Sequence, residues 1–359
     1  MEQMNRHYRA LELDKILQML AGETTCDDAY QQALALHPST GLYEVRLQLQ
    51  ETDDAYMLCG RFGSPSFGAF HNVVNSLRRA DSGGVLTMGE LLKIAEVLRV
   101  MRSLVEWRKR SAGIETSIDW RFENLAPNKY LEEKINSSIL SEEEMADNAS
   151  PELAGIRRKI RAASSRVREQ LDKMVRSATY QKYLQDPIVT IRGGRFVVPV
   201  KAECRGEIPG LVHDTSSSGA TVFVEPMGVV EANNDIKVLQ SKEETQIERI
   251  LCELSAEAGS FAEGIVSGYY AAIELNVLFA KARLAYKMKA TLPHMNDSGR
   301  IELKKARHPL IDPQKVVPTD IELGIHFDTL VVTGPNTGGK TVSLKTVGLL
   351  TLMAMCGLM

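Results

Sequence analysis

Between residues 151 and 182, apolar side chains recur in a pattern that only a long helix can use. Ile156, Ile160, Ala163, Val167, Leu171, Met174 and Ala178 follow one another at spacings of 4, 3, 4, 4, 3 and 4. That is a heptad-like seam, and so long a periodic run belongs to a coiled coil or an arm rather than to a compact core helix. Pro151 at a first helical turn, with Ser150 before it as N-cap, marks the start. From Arg157 to Lys182 nine basic residues stand against two acidic ones, a net +7. A second long helical stretch is predicted from about Ile236 to Lys289. Between Asp235 and Glu263 it carries three basic and seven acidic residues, a net -4. Opposite charges on two long helices predict an antiparallel pair.

The one β-rich stretch lies between them. Residues 188–192 (IVTIR) and 195–200 (RFVVPV) flank Gly193-Gly194, a two-residue hairpin signal. Leu211-Val212-His213 and residues 221–224 (TVFV) flank a Ser/Gly loop at 216–219. The expected arrangement is a stalk of two helices with a small β module at its turn. Arg192, Arg195, Lys201 and Arg205 of that module are the candidate nucleic-acid contacts, because a hairpin tip at the end of a stalk reaches a partner. The other reading of these four is a surface loop kept soluble by charge. His213, Asp214 and residues 216–218 have the residue types of a hydrolase triad, but no nucleophile elbow accompanies them.

The first 150 residues read as a string of amphipathic helices, with Leu13, Ile16, Leu17 and Leu20 on one face and Leu91, Leu92, Ala95, Leu98 and residues 101–105 on another. No catalytic constellation stands out there. The whole chain balances 43 basic against 46 acidic residues, so any nucleic-acid role must come from a local patch. Its five cysteines form no CxxC pair, which argues against zinc and disulfide frameworks and for a reducing, cytoplasmic setting. The longest uncharged apolar run, residues 347–359, is too short to span a bilayer and reads as a buried helix.

Residues 334–341 read GPNTGGKT and fit G-x-x-x-x-G-K-[ST] without a gap. Thr329-Leu330-Val331-Val332-Thr333 before them reads as a buried parallel strand, and residues 342–359 after them as an apolar-faced helix. Strand, glycine-rich loop and helix together form a concave site for phosphate oxygens. The expected nucleotide-binding residues are Gly334, Pro335, Asn336, Thr337, Gly338, Gly339, Lys340 and Thr341. Lys340 supplies charge to the β- and γ-phosphates of ATP, and the Thr341 hydroxyl is the expected Mg²⁺ ligand. His308, Val316 and Val317 are candidates to line the base, with ordinary packing as the other reading. Hydrolysis also needs a Walker B carboxylate on a second strand, and 18 residues follow Thr341. The expectation is therefore a fragment of a larger ATPase, with Met353, Met355, Leu358 and Met359 covered by the rest of a sheet.

The sequence GPNTGGKTVSLKTVGLLTLMAMCGLM, with ARHPLI from Ala306, Val316-Val317-Pro318 and Asp320-Ile321, resembles the ATPase of the MutS family. The stretch from Gln185 to Pro226, followed by Glu231-Ala232-Asn233-Asn234, and LELDKILQMLA from Leu11 resemble the MutS-two branch in particular. The resemblance implies a mostly α fold with a small β insert, followed by the start of an α/β P-loop ATPase of ABC type. It implies a helical core at 1–150, lever and clamp helices at 151–290 with the insert at about 187–226, and the first part of the ATPase domain at 291–359. It further implies a homodimeric, ATP-driven clamp on branched DNA or on stalled ribosomes and their rRNA, with endonuclease activity in a C-terminal domain. The alternatives are a fragment that binds nucleotide without turnover or serves only structurally, and a mismatch-repair MutS ATPase. The Phe-x-Glu at Phe223-Val224-Glu225 lies on a predicted strand rather than in an N-terminal mismatch reader. Chromosome-maintenance ATPases carry the loop before their arms, whereas here it follows them. Without a Walker B strand, steady-state phosphate release by the purified chain is expected to stay at background; a Lys340-dependent turnover of about 1 per second overturns this.

Overall fold

The computed structural model describes residues 2–68, 70–111, 113–334 and 339–359. Its order begins with eight helices: α1 (Glu2–Ala10), α2 (Leu13–Ala21), α3 (Asp27–Leu34), α4 (Leu42–Phe62), α5 (Val74–Asp81), α6 (Met88–Arg110), α7 (Asp119–Glu123) and α8 (Lys129–Ser138). There follow α9 (Pro151–Val175), α10 (Ala178–Gln181), β1 (Thr190–Arg192), β2 (Arg195–Lys201), β3 (Gly210–Thr215) and β4 (Thr221–Pro226). The chain continues through α11 (Met227–Ser260), α12 (Ala262–Met288), β5 (Ile301–Ala306), β6 (Thr319–Leu323) and α13 (Lys340–Met355). The protein is thus mostly helical with small antiparallel sheets. It divides into two compact units, one formed by residues 1–81, 93–133 and 258–359, the other by 82–92 and 134–257. No helix among the described residues is long and apolar enough to cross a membrane.

The first unit is organised on α12, which packs against α2, α3, α4, α5 and α7. Residues on every side of α12 are buried, from Ile265 and Tyr269 through Leu275 and Phe279 to Leu284. Alanines at 271, 272, 280, 282 and 285 and Gly268 let its neighbours approach, and a Cβ on Gly268 would stand 2.8 Å from the Met101 side chain. The predicted faces are buried as expected: Leu13, Ile16 and Leu20 on α2, and Leu91, Ala95, Leu98, Met101 and Leu104 on α6. Trp107, Phe122 and Phe279 form an aromatic cluster, with Trp107 and Phe279 edge to face at 5.3 Å.

In the second unit α9 starts where its cap predicts, with the Ser150 hydroxyl accepting the Leu153 amide at 3.1 Å and Pro151 in the first turn. Val167 and Leu171 of the seam are buried, Ile156, Ile160, Ala163 and Met174 half-buried, and the helix ends before Ala178. α11 runs antiparallel to α9, as Arg249–Glu152 at 3.5 Å, Glu243–Arg157 at 2.6 Å and Gly228–Gln170 at 3.2 Å show. Most of the basic residues on α9 take no part in this pairing, however. Of the basic residues on α9, Arg157 pairs with Glu243 and Asp147, and Arg161 with Asp147. Arg158, Lys159, Arg166, Arg168, Lys173 and Arg176 are exposed, with no ion pair among the described residues. The second stretch also begins earlier than expected, at Met227 directly after β4, and it breaks at Phe261. The break follows Gly259, a weak helix former that lies against the Ala80 backbone.

The β module is one sheet in the order β1-β2-β4-β3. Gly193 and Gly194 have φ of 55° and 74°, which fits a two-residue hairpin turn that side chains disfavour. A bulge between Val212 and Asp214 makes His213 the extra residue of β3. His213 and Arg195 both meet Glu225, which is fully buried, Arg195 at 2.8 Å. Asn233 completes the set, donating to Glu225 at 2.7 Å and exchanging hydrogen bonds with the Phe196 backbone. A buried carboxylate is tolerated only when paired and hydrogen-bonded.

Two expectations about the end of the chain are corrected. Residues 329–333 form no strand, and Leu330, Val331 and Val332 are 49, 77 and 46% exposed. A buried parallel strand needs a neighbour on each edge, and β5 and β6 pair antiparallel with each other instead. Met353 and Leu358 are buried as expected, but against Leu13, Ile16, Leu17 and Leu20 of α2 and Ala280 and Leu284 of α12 rather than under a sheet.

Removing the Glu225 carboxylate leaves Arg195 without its partner. Glu225→Ala is expected to lower unfolding stability by about 3 kcal/mol, against less than about 1 kcal/mol for Arg249→Ala at an exposed pair. Urea unfolding of both variants checks this; equal losses overturn it.

Candidate functional site

Both described glycines at the ends of the glycine-rich loop have positive φ. Gly334 has φ 143° and Gly339 φ 80°, and Gly339 stands directly ahead of the first turn of α13. Pro335, Asn336, Thr337 and Gly338 lie outside the described residues. The Lys340 ammonium donates to the Gly334 carbonyl. Ser343 donates to the Gly339 carbonyl from its amide at 2.9 Å and its hydroxyl at 3.2 Å. Thr341 is exposed. A helix N-terminus with a lysine and an exposed hydroxyl beside glycine backbone is chemically suited to an anion with a bound cation.

What seats α13 comes from far away in the chain. Lys345 pairs with Glu12 at 2.9 Å, and Glu12 also receives Lys15 at 2.5 Å. Hydrogen bonds from Lys15 and then Lys345 hold the Glu12 carboxyl down at about 2. Glu12 has φ 65°, a left-handed backbone uncommon outside glycine, and the two lysines fix it there. Gly348 faces Leu11, whose methyls would lie 2.9 Å from a Cβ at that position. At the other end of the helix Lys281 donates to the Cys356 carbonyl at 2.8 Å, Thr52 to the Gly357 carbonyl at 2.6 Å, and the Ser39 amide to the Met355 carbonyl at 2.9 Å. Burial lowers Lys281 to about 8 and raises the Cys356 thiol to about 11.

His308 is buried, and burial lowers its imidazole below the usual value. Its Nδ1 accepts the Leu310 amide at 3.4 Å, while Val317 is 78% exposed. Glu12, Lys281 and Thr52 escaped the sequence reading because their partners lie 333, 75 and 305 residues away and no local spacing announces them.

The four basic residues of the β module do not share one environment. Arg195 is held by Glu225 and by Asn234 at 2.5 Å. Arg192 stacks on Phe223 at 4.2 Å and pairs with Asp214 at 3.4 Å. The Gly193–Gly194 turn lies against α11, where a Cβ on Gly194 would meet Lys237. It is therefore not a free tip. Lys201, donating to the Lys182 carbonyl at 3.2 Å, and Arg205, which is exposed, stand at the opposite end of β2, beside the 216–219 turn.

No family model matches the chain. It is 48% identical over 354 residues to Endonuclease MutS2 of Ruminiclostridium cellulolyticum, which covers 98% of this chain and 45% of that protein. Endonuclease MutS2 of Acetivibrio thermocellus is also 48% identical, over 98% of this chain and 44% of its own length. That of Clostridium perfringens strain 13 is 43% identical over 99% of this chain and 45% of its own. Over almost its whole length the chain is homologous to the MutS family. Within that family its homology is to the MutS2 branch, and it spans about 45% of the length of these relatives.

Lys281 gives the seat of α13 a pH signature. A lysine at about 8 when folded and near 10.5 when unfolded binds fewer protons in the folded state between those values. Stability from this group therefore rises with pH across that window, by on the order of 3 kcal/mol. Cys356 works in the opposite direction, so the comparison is with Lys281→Met. Between pH 8 and 10 the wild-type urea midpoint is expected to gain on that of the variant; parallel curves overturn the assignment.

Proposed function

We propose that the chain is the nucleotide-binding and arm-bearing part of a MutS-type ATPase. The observation that carries this reading is the Gly339–Lys340 junction, a left-handed glycine ahead of a 16-residue helix whose first lysine bends toward Gly334. In this reading Gly334, Pro335, Asn336, Thr337, Gly338 and Gly339 offer their backbone to the phosphates of ATP. Lys340 leaves the Gly334 carbonyl for the β- and γ-phosphates, and Thr341 holds Mg²⁺ through its hydroxyl. Bound Mg²⁺-ATP supplies the phosphoanhydride whose turnover drives the protein. The described residues fit such a ligand, since Thr341 and the Gly334 backbone are exposed and no acidic group contacts Lys340.

Residues 1–150 then serve as helical core, 151–290 as lever and clamp with their β insert, and 291–359 as the beginning of an ABC-type ATPase domain. The relatives' name, and the resemblance in the β insert, support a nucleic-acid partner and endonuclease activity for the intact protein. Its place is the cytoplasm, as a homodimeric clamp on branched DNA in recombination and repair or on the rRNA of stalled ribosomes. The half-buried Lys201 and the exposed Arg205 remain candidate phosphate contacts, and Arg192 and Arg195 contribute by shaping the module.

The test is Lys340→Ala. ATP binding, measured by titration, is expected to weaken at least tenfold, about 1.4 kcal/mol, with an unchanged circular dichroism spectrum. Unaltered affinity in a folded variant refutes the assignment.

A further inference from the structure

We propose that a hollow between α9 and α11 is a binding site for a small phosphate monoester. Lys159, Lys242 and Ser241 would hold its phosphate, and Ile156 and Leu239 would receive its less polar body across Gly155. The hollow has a volume of about 610 Å³. That is within the range of sites that hold small organic ligands, roughly 300 to 1,000 Å³.

Gly155 is the first observation. Eight glycines lie inside the described helices, and at seven of them a Cβ would meet a neighbouring atom within 4 Å, from 2.4 Å at Gly60 to 3.6 Å at Gly264. Those seven make room for packing. At Gly155 nothing lies within 4 Å. Glycine in a helix interior costs about 1 kcal/mol relative to alanine, and here no close approach offsets it. The missing side chain leaves open space between the two helices.

The charges are the second observation. Glu152 also lines the hollow, and its carboxylate pairs with Arg249 at 3.5 Å, while Arg157 pairs with Glu243 at 2.6 Å between the same two helices. By that antiparallel register Lys159 faces Ser241 and Lys242, and all three line the hollow. Both lysines are exposed and have no ion pair among the described residues. Two ammonium groups on facing helices that line one hollow give it a cationic end that an anion would neutralise. Ile156 and Leu239 are half-buried and supply an apolar wall beside this cationic end. A dianionic phosphate on a compact, weakly polar body satisfies both parts.

The probe is adenosine monophosphate, titrated calorimetrically into the chain carrying Lys340→Ala, so that the glycine-rich loop does not contribute. Saturable binding at one per chain is expected. Lys159→Gln with Lys242→Gln should weaken it at least tenfold. Gly155→Leu should abolish it while keeping or raising the melting temperature, since leucine favours helix and meets open space. Lys173→Gln with Arg176→Gln, farther along α9, should leave it unchanged. Absence of saturation at millimolar ligand overturns the proposal, as does binding that survives both hollow variants. Inorganic phosphate that binds as tightly as the nucleotide removes the apolar wall from the site and also overturns it. If a duplex oligonucleotide loses affinity on Lys159→Gln with Lys242→Gln while adenosine monophosphate never binds, the lysines belong to a nucleic-acid face and the small-ligand site is refuted.

Discussion

A helix buried on nearly every side must find a partner for every polar group it covers, and the 271–285 stretch of α12 imposes that condition on the first unit. Asn276, fully buried, donates to the Thr25 hydroxyl at 2.6 Å and accepts the Thr25 amide at 3.2 Å. The Tyr269 hydroxyl donates to Asp28 at 2.9 Å. Glu274, nearer the surface, pairs with Arg121, which also makes a two-pronged contact with the buried Glu51. An unpaired amide or ammonium in this setting would cost several kcal/mol. The satisfied groups therefore select which segments stand around α12.

The helix that follows the glycine-rich loop depends on this arrangement. A phosphate site made of backbone amides has its affinity set by the orientation of one helix N-terminus. Here that helix is seated along its length: Glu12 on Lys345 near the loop, Leu11 on Gly348 at the middle, and Lys281 and Thr52 at the far end.

Local features were legible in the sequence because they are decided locally. The Ser150–Pro151 start, the apolar seam of α9, the Gly193–Gly194 turn and the Gly339–Lys340 junction all follow from backbone preference within a few residues. What escaped is decided by distant partners. The charges of α9 and α11 suggested mutual attraction, yet most of the basic residues face solvent, because the seam already joins the helices. Arg195 looked like a phosphate contact until Glu225, thirty residues on, was seen to need it. The β-branched run at 329–333 has strand propensity but no strand beside it, and propensity alone forms no sheet. α12 shows no helical period because Tyr270 and Tyr286 stand among its exposed residues and Asn276 and Lys281 among its buried ones.

The contact between Leu11 and Gly348 also bears on how the chain is made. On a ribosome adding roughly 5 to 20 residues per second, the first helices emerge long before the segment that covers them. The core of the first unit joins α2 and α3 to α12 and α13, so it closes only after residue 262 and then 340 have appeared. The β module and its helices need only residues 82–92 and 134–257. The second unit is thus able to fold while the first still waits, and during that interval Leu13, Ile16, Leu17 and Leu20 stand uncovered. Their α2 neighbours Asp14 and Lys15, and Glu12 just before them, keep that waiting surface charged.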